Sequence, residues 1–165
     1  MLADTLLAKI HEQIDKLLHL ITLLPSGCLD WSPPVAGART AARLLGHLLE
    51  CLAGFCAALA AAEPERLAHF AELRKLPVNH ACSPDEAAGR IALYRKRIDE
   101  GFALLDDAAL SRPLVTVFVK DGEPLLTLLL GNLEHLINHK HELFTYLKQM
   151  GVEVGTRDLY RFRGE

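Results

Sequence analysis

The sequence predicts an all-α fold, a four-helix bundle with long connections, and three observations carry that prediction. Leu and Ala, both strong helix formers, are heavily used. Apolar residues recur at spacings of three and four in long stretches. The breaks between those stretches fall on Pro and Gly. At 165 residues the chain suits one domain, 1–165, with enough length to bury a core.

The first helix is expected from about Leu2 to Leu24. Leu6, Leu7, Ile10, Ile14, Leu17, Leu18, Ile21 and Leu24 form its apolar stripe. Lys9, Glu12, Gln13, Asp15 and Lys16 take the other face, and Pro25-Ser26-Gly27 ends it. The segment Cys28–Arg39 contains Pro33, Pro34 and Gly37 and reads as a loop. Trp31, inside it, is expected to plug one end of the core.

Thr40 is placed to N-cap a second helix running to about Ala62. That helix is apolar almost all round, which calls for burial on most faces and makes His47 and Glu50 conspicuous. A linker follows to Cys82, with mixed helical signal from Glu65 to Leu76 and a break at Pro77-Val78-Asn79. Ser83-Pro84-Asp85-Glu86 then opens a third helix. Ser83 is the N-cap, Pro84 the first helical residue, and Glu86 the far half of a capping box. This helix should continue to about Leu105.

Val115–Val119 is the one β-like run, and Asp121-Gly122 is a turn signal. A small extended or hairpin segment is expected near 114–121. The fourth helix should start near Glu123-Pro124 and end at Met150-Gly151. Leu159, Tyr160 and Phe162 in the tail are expected to dock back on the bundle.

Charge and composition narrow the function classes. Apolar residues make up 50% and charged residues 24%, with a net charge of −3, so no attraction to nucleic acid is implied. Arg157, Arg161 and Arg163 form only a short, interrupted basic patch. The N-terminus lacks a basic region ahead of a continuous apolar run, so no signal peptide is expected. Leu44–Ala62 comes nearest to a membrane span but carries His47 and Glu50, and reads as a buried helix. Cys28, Cys51, Cys56 and Cys82 show no metal-binding or redox spacing. Cys51 and Cys56 project about 140° apart on one helix and do not bridge easily. A reduced, cytoplasmic protein is the simpler expectation.

The eight histidines are the candidate functional residues. His11, His69 and His80 fall on expected solvent faces or in linkers, and His19 beside the first helix's stripe. His135 and His139 lie four apart on an apolar helix, so their rings share one side and can share one metal ion. The stripe extends to Asn132 in one direction and to Glu142 and Tyr146 in the other. A polar stripe in a Leu-rich helix costs burial energy unless its groups find partners. A metal is one such partner; hydrogen bonding at the bundle rim is the other. His47 sits early in its apolar helix, where an imidazole has few other uses. Glu50, one turn on, either accepts an imidazole N–H, acts as a base on metal-bound water, or is a helix-surface carboxylate.

These segments together resemble the DinB-like family, the DinB/YfiT superfamily of metal-binding four-helix bundles. Trp31-Ser32-Pro33-Pro34 through Arg39-Thr40 to Leu45-Gly46-His47-Leu48 is similar to the family's loop and second-helix start. His135-Leu136-Ile137-Asn138-His139-Lys140 is similar to its paired histidines, and Tyr146–Gly151 to its last helix end. The resemblance covers most of the chain. It implies a three-histidine metal site of His47, His135 and His139 facing a pocket between helices, and often a homodimer. The family frequently has Arg-Gly-Gln after the last histidine, whereas this chain has Lys140-His141-Glu142. His141 projects to another face, and Glu142 replaces an amide.

Three imidazoles leave coordination positions open, and suit zinc, nickel, iron or copper. The resemblance implies thiol-dependent chemistry with a low-molecular-weight thiol such as mycothiol or bacillithiol. A metal with open positions can lower the pKa of a thiol, or activate water for hydrolysis. The expected function is a metal-dependent enzyme on a small molecule, of thiol-transferase or hydrolase type. The alternative is a non-catalytic metal-binding stress or interaction protein.

Overall fold

A computed structural model describes residues 2–116 and 119–160. Among these, four long helices carry the fold: α1 (Leu2–Thr22), α2 (Ala41–Ala62), α3 (Pro84–Phe102) and α4 (Leu125–Gln149). The local signals set most of the boundaries. Thr40 Oγ1 accepts from Arg43 N at the start of α2, and Ser83 Oγ accepts from Glu86 N at the start of α3. The Glu86 carboxylate, expected to reach back to Ser83, pairs with His80 Nε2 instead, at 2.7 Å. Gly151, at φ +80°, closes α4 in the left-handed conformation that glycine adopts at no steric cost.

The helices do not pack in sequence order. α2 packs chiefly on α3 and α4, and α1 also packs on α3 and α4. α1 and α2 are therefore diagonal in the bundle, and the long 23–40 connection crosses between them. α2 is the most buried helix, with Leu44, Leu45, Leu48, Leu49, Leu52, Phe55 and Leu59 all at 0% exposure. By length and apolarity alone it is long enough to cross a membrane, but 67% of its most apolar window is buried inside the protein. The core helix read from the sequence is thus observed. Most of its apolar side chains are spent within the bundle.

The connections are partly ordered. Residues Ala68–Lys75 form a 3₁₀ helix in the linker of mixed helical signal. Pro113–Leu114 (β1) pairs antiparallel with Glu123–Pro124 (β2), with Gly122 at φ +83° in the turn. The small hairpin is therefore present. Residues 117 and 118 of the β-like run lie outside the described residues. Trp31 packs against the core and meets Tyr146 edge-on, at 5.2 Å between ring centroids. In the tail, α5 (Thr156–Leu159) buries Leu159, and Asp158 pairs with His19 at 2.9 Å. Tyr160 is exposed, and Phe162 lies outside the described residues.

Candidate metal centre

The centre is built where α2 and α4 pack. α2 supplies His47 near its buried start, and α4 supplies His135 and His139 from successive turns. One ligand nitrogen from each lies within 4.8 Å of the others. His47 Nε2 stands 2.9 Å from His139 Nε2 and 3.3 Å from His135 Nε2. His47 is buried, whereas His135 and His139 are partly exposed. The three histidines named from the sequence are thus brought together, and His141 is left out of the cluster.

Both Nδ1 atoms that are engaged face acceptors. His47 Nδ1 is 3.0 Å from Glu50 Oε2 and 2.6 Å from Asn79 Oδ1. His139 Nδ1 is 2.6 Å from Glu142 Oε2. A carboxylate can only accept, so each Nδ1 carries the proton and each neutral ring presents its Nε2 lone pair. Two lone pairs then face one another across 2.9 Å. That arrangement is repulsive unless a cation sits between them, either a proton or a metal ion.

The spacing fits a metal. An ion bound at about 2.0–2.1 Å to two imidazole nitrogens holds them roughly 2.9–3.4 Å apart for bond angles of 90–110°. The observed separations fall in that range. Burial, and after it the closeness of the His139 and His47 imidazoles, hold the His135 pKa below the ordinary imidazole value. Its ring is therefore kept neutral, the form that binds metals. A three-histidine group of this kind can hold a metal ion.

Around the histidines lies a hydrogen-bonded frame. Tyr146 Oη approaches both Glu142 Oε1, at 3.1 Å, and the Arg39 carbonyl, at 3.0 Å. Burial first, and then Glu142, push the Tyr146 pKa up to about 12, so it stays a donor. Asn79 comes from the break before α3. Its φ of +59° suits an asparagine, and its N–H donates to the Gly46 carbonyl at 2.9 Å. The loop lies so close to α2 that a Cβ on Gly46 would stand 1.9 Å from the His80 carbonyl oxygen. Glu50 sits at the Nδ1 edge of His47, away from the converging Nε2 atoms. That position fits the acceptor role better than the role of base. Arg39, Arg43, His47, Glu50 and Asn79 line a pocket of ≈420 Å³.

Two of these residues went unassigned in the sequence. Glu142 read there as part of the polar stripe and as a departure, with no role toward His139, yet it stands three residues after His139 just as Glu50 stands three after His47. The repeated His-x-x-Glu spacing was the available signal. Asn79 carried none, because its contact to His47 depends on how the linker folds over α2.

These features define a class: a four-helix bundle with three converging imidazoles, two of them oriented by carboxylates from their own helices. The sequence matches the DinB superfamily over residues 9–143, and the chain belongs to that superfamily. The fold is also similar to the crystal structure of a DinB-like protein from Bacillus subtilis. The TM-score is 0.68 at 17% identity, covering 91% of this chain and 94% of that one. A comparison with curated proteins finds no match.

Proposed function

We propose that His47, His135 and His139 hold one divalent transition metal (zinc, nickel or iron) and that the protein is a metal-dependent enzyme acting on a small molecule. The observation that carries this reading is the 2.9 Å separation of His47 Nε2 and His139 Nε2, each ring having an acceptor at its Nδ1. A metal held there supplies a Lewis acid with open positions, able to lower the pKa of a thiol or of water. The protein's own residues do the rest. Glu50 and Asn79 fix the tautomer and orientation of His47, and Glu142 does the same for His139. Tyr146 in turn steadies Glu142. The pocket of Arg39, Arg43 and Asn79 beside His47 offers cationic and amide groups to a polar substrate.

Thiol-dependent transfer stands first and hydrolysis second, because the resemblance favours thiol chemistry. A low-molecular-weight thiol as co-substrate, a homodimeric assembly and a cytoplasmic location belong to this reading on the same ground. Metal analysis of the purified protein beside His47→Ala, His135→Ala and His139→Ala tests the site. The expected result is metal in the wild type and its loss in each variant. Equal metal in all four proteins would remove the site. Turnover is then sought with thiol–electrophile pairs and with esters or amides. Metal binding with no turnover in either screen would favour the non-catalytic alternative.

A further inference from the structure

A second set of metal-ligating groups lies outside the three-histidine centre. His80 and Cys82 are on the loop before α3, and Glu86 is in the first turn of α3. One ring nitrogen of His80, Cys82 Sγ and one Glu86 carboxylate oxygen all lie within 4.8 Å of one another. The backbone that carries them is fixed on both sides. Asn79 N donates to Gly46 O at 2.9 Å and Cys82 N to Ala42 O at 3.1 Å, so the loop is pinned along α2. Ser83 caps α3 and sets the turn that carries Glu86. The donors are therefore prearranged rather than gathered from mobile chain.

Two details mark the cluster as incomplete. His80 Nε2 pairs with Glu86 Oε1 at 2.7 Å, which makes Nε2 the donor in the neutral ring and leaves the lone pair on Nδ1. Among the described residues, the buried His80 Nδ1 has no hydrogen-bond partner. Cys82 is 3% exposed, and its thiol bonds the adjacent Ser83 carbonyl, at 3.3 Å. A thiol is a weak donor, so this contact holds the sulfur loosely. An imidazole nitrogen, a buried sulfur and a carboxylate within one ion's reach form a donor set that a Lewis acid completes, taking the place of the proton between His80 Nε2 and Glu86.

We propose that His80, Cys82 and Glu86 form a second metal site, specific for a zinc-class divalent ion. The donor set decides the class. Thiolate and imidazole select zinc over the hard ions magnesium and calcium. A thiolate and a carboxylate together balance the ion's two positive charges. Three protein ligands leave room for water, so the site is not a closed four-cysteine type. Its position gives it a structural consequence: an ion there ties the loop that delivers Asn79 to His47. The site does not depend on the three-histidine reading, because none of its ligands is shared.

Cobalt(II) titration of metal-free protein tests it. Cobalt replaces zinc and gives a near-ultraviolet thiolate-to-metal absorption band only where sulfur is bound, and the three-histidine centre has no sulfur ligand. The wild type is expected to show this band, and Cys82→Ser to lose it while keeping the cobalt held by imidazoles. His135→Ala/His139→Ala is expected to keep the band. Should that double variant fail to fold, as circular dichroism would show, the comparison of wild type with Cys82→Ser decides alone. No thiolate band in the wild type overturns the proposal, and so does a band that survives Cys82→Ser. His80→Gln and Glu86→Gln are each expected to weaken cobalt binding in this band by at least about tenfold, as loss of a ligand requires. Unchanged affinity in both would also overturn it.

Discussion

His47 and His139 face each other through Nε2 atoms 2.9 Å apart, and each is oriented from behind by a glutamate three residues further along its own helix. The two glutamates are not equivalent. His47 Nδ1 has a second acceptor, Asn79 Oδ1, at 2.6 Å, whereas Glu142 is the one acceptor at His139 Nδ1 among the described residues. Glu142→Ala is expected to lower metal affinity by about 10–100-fold, the usual effect of removing a group that orients a ligating histidine. Glu50→Ala should cost less than about tenfold, because Asn79 still accepts the proton. Competition with a chelator of known affinity measures both. Equal losses would mean that Asn79 does not share the work of holding His47.

Gly46 tests the loop contact without touching a ligand of the three-histidine centre. A Cβ there would stand 1.9 Å from the His80 carbonyl oxygen and 2.8 Å from its nitrogen, and both are backbone atoms that cannot swing away. Gly46→Ala must therefore push the 77–82 loop off α2. The expected cost is about 1–3 kcal/mol in denaturant unfolding, the usual scale of overpacking. Metal affinity should fall as well, because Asn79 leaves His47. A variant that loses stability but binds metal as tightly as wild type would limit the loop to a packing role.

Much of this was legible in the sequence, for identifiable reasons. Thr40, Ser83 and Gly151 act through contacts within a few residues, so they set the ends of α2, α3 and α4 in any context. The His135/His139 pair was legible because helix geometry alone puts positions four apart on one side. The diagonal placement of α1 and α2 was not, because the 23–40 connection is long enough to allow either neighbour. Glu86 shows the same limit at the scale of one side chain. Its spacing from Ser83 predicts a reciprocal cap, but His80, brought close by the loop, takes the carboxylate. His47 joined the pair chiefly through family resemblance: its place in an apolar helix marked it as unusual, but nothing local says which face of α2 meets α4.

Lys140 gives the fold a pH dependence of known sign. It is 3% exposed, with its ammonium on Gln13 Oε1 at 2.8 Å. Burial, then the charge of Lys16, pull its pKa from 10.5 down to about 8. The folded chain thus releases this proton near pH 8, while the unfolded chain keeps it to about 10.5. Between those values the unfolded state binds more protons, so the Lys140 contribution makes stability rise with pH. Cys51 and Cys56, pushed by burial up to about 12, act in the opposite direction above the ordinary thiol value of 9. The informative quantity is therefore the difference between wild type and Lys140→Met. Relative to the variant, wild type should gain up to about 3 kcal/mol as pH rises through this window. The slope is the readout, since the offset also contains Gln13 losing its donor. Parallel stability curves would show that the buried amine is charged equally in both states.

Tyr146 links the end of the core to the metal centre, and its ring and hydroxyl can be separated. The ring meets Trp31, the single tryptophan of the chain, edge-on at 5.2 Å. The hydroxyl reaches Glu142 and the Arg39 carbonyl. Tyr146→Phe keeps the ring contact and removes the hydrogen bonds, so tryptophan emission should stay at the wild-type wavelength. Stability should fall by about 1 kcal/mol, the net worth of a typical hydrogen bond. Metal affinity should fall severalfold, because Glu142 then holds His139 less firmly. Tyr146→Ala also opens the packing around Trp31 and should add a red shift of its emission and a loss of about 3–5 kcal/mol, as for other buried aromatic truncations. If Tyr146→Phe leaves metal affinity unchanged, Glu142 orients His139 without help from the tyrosine, and the link between core and centre is the ring contact alone.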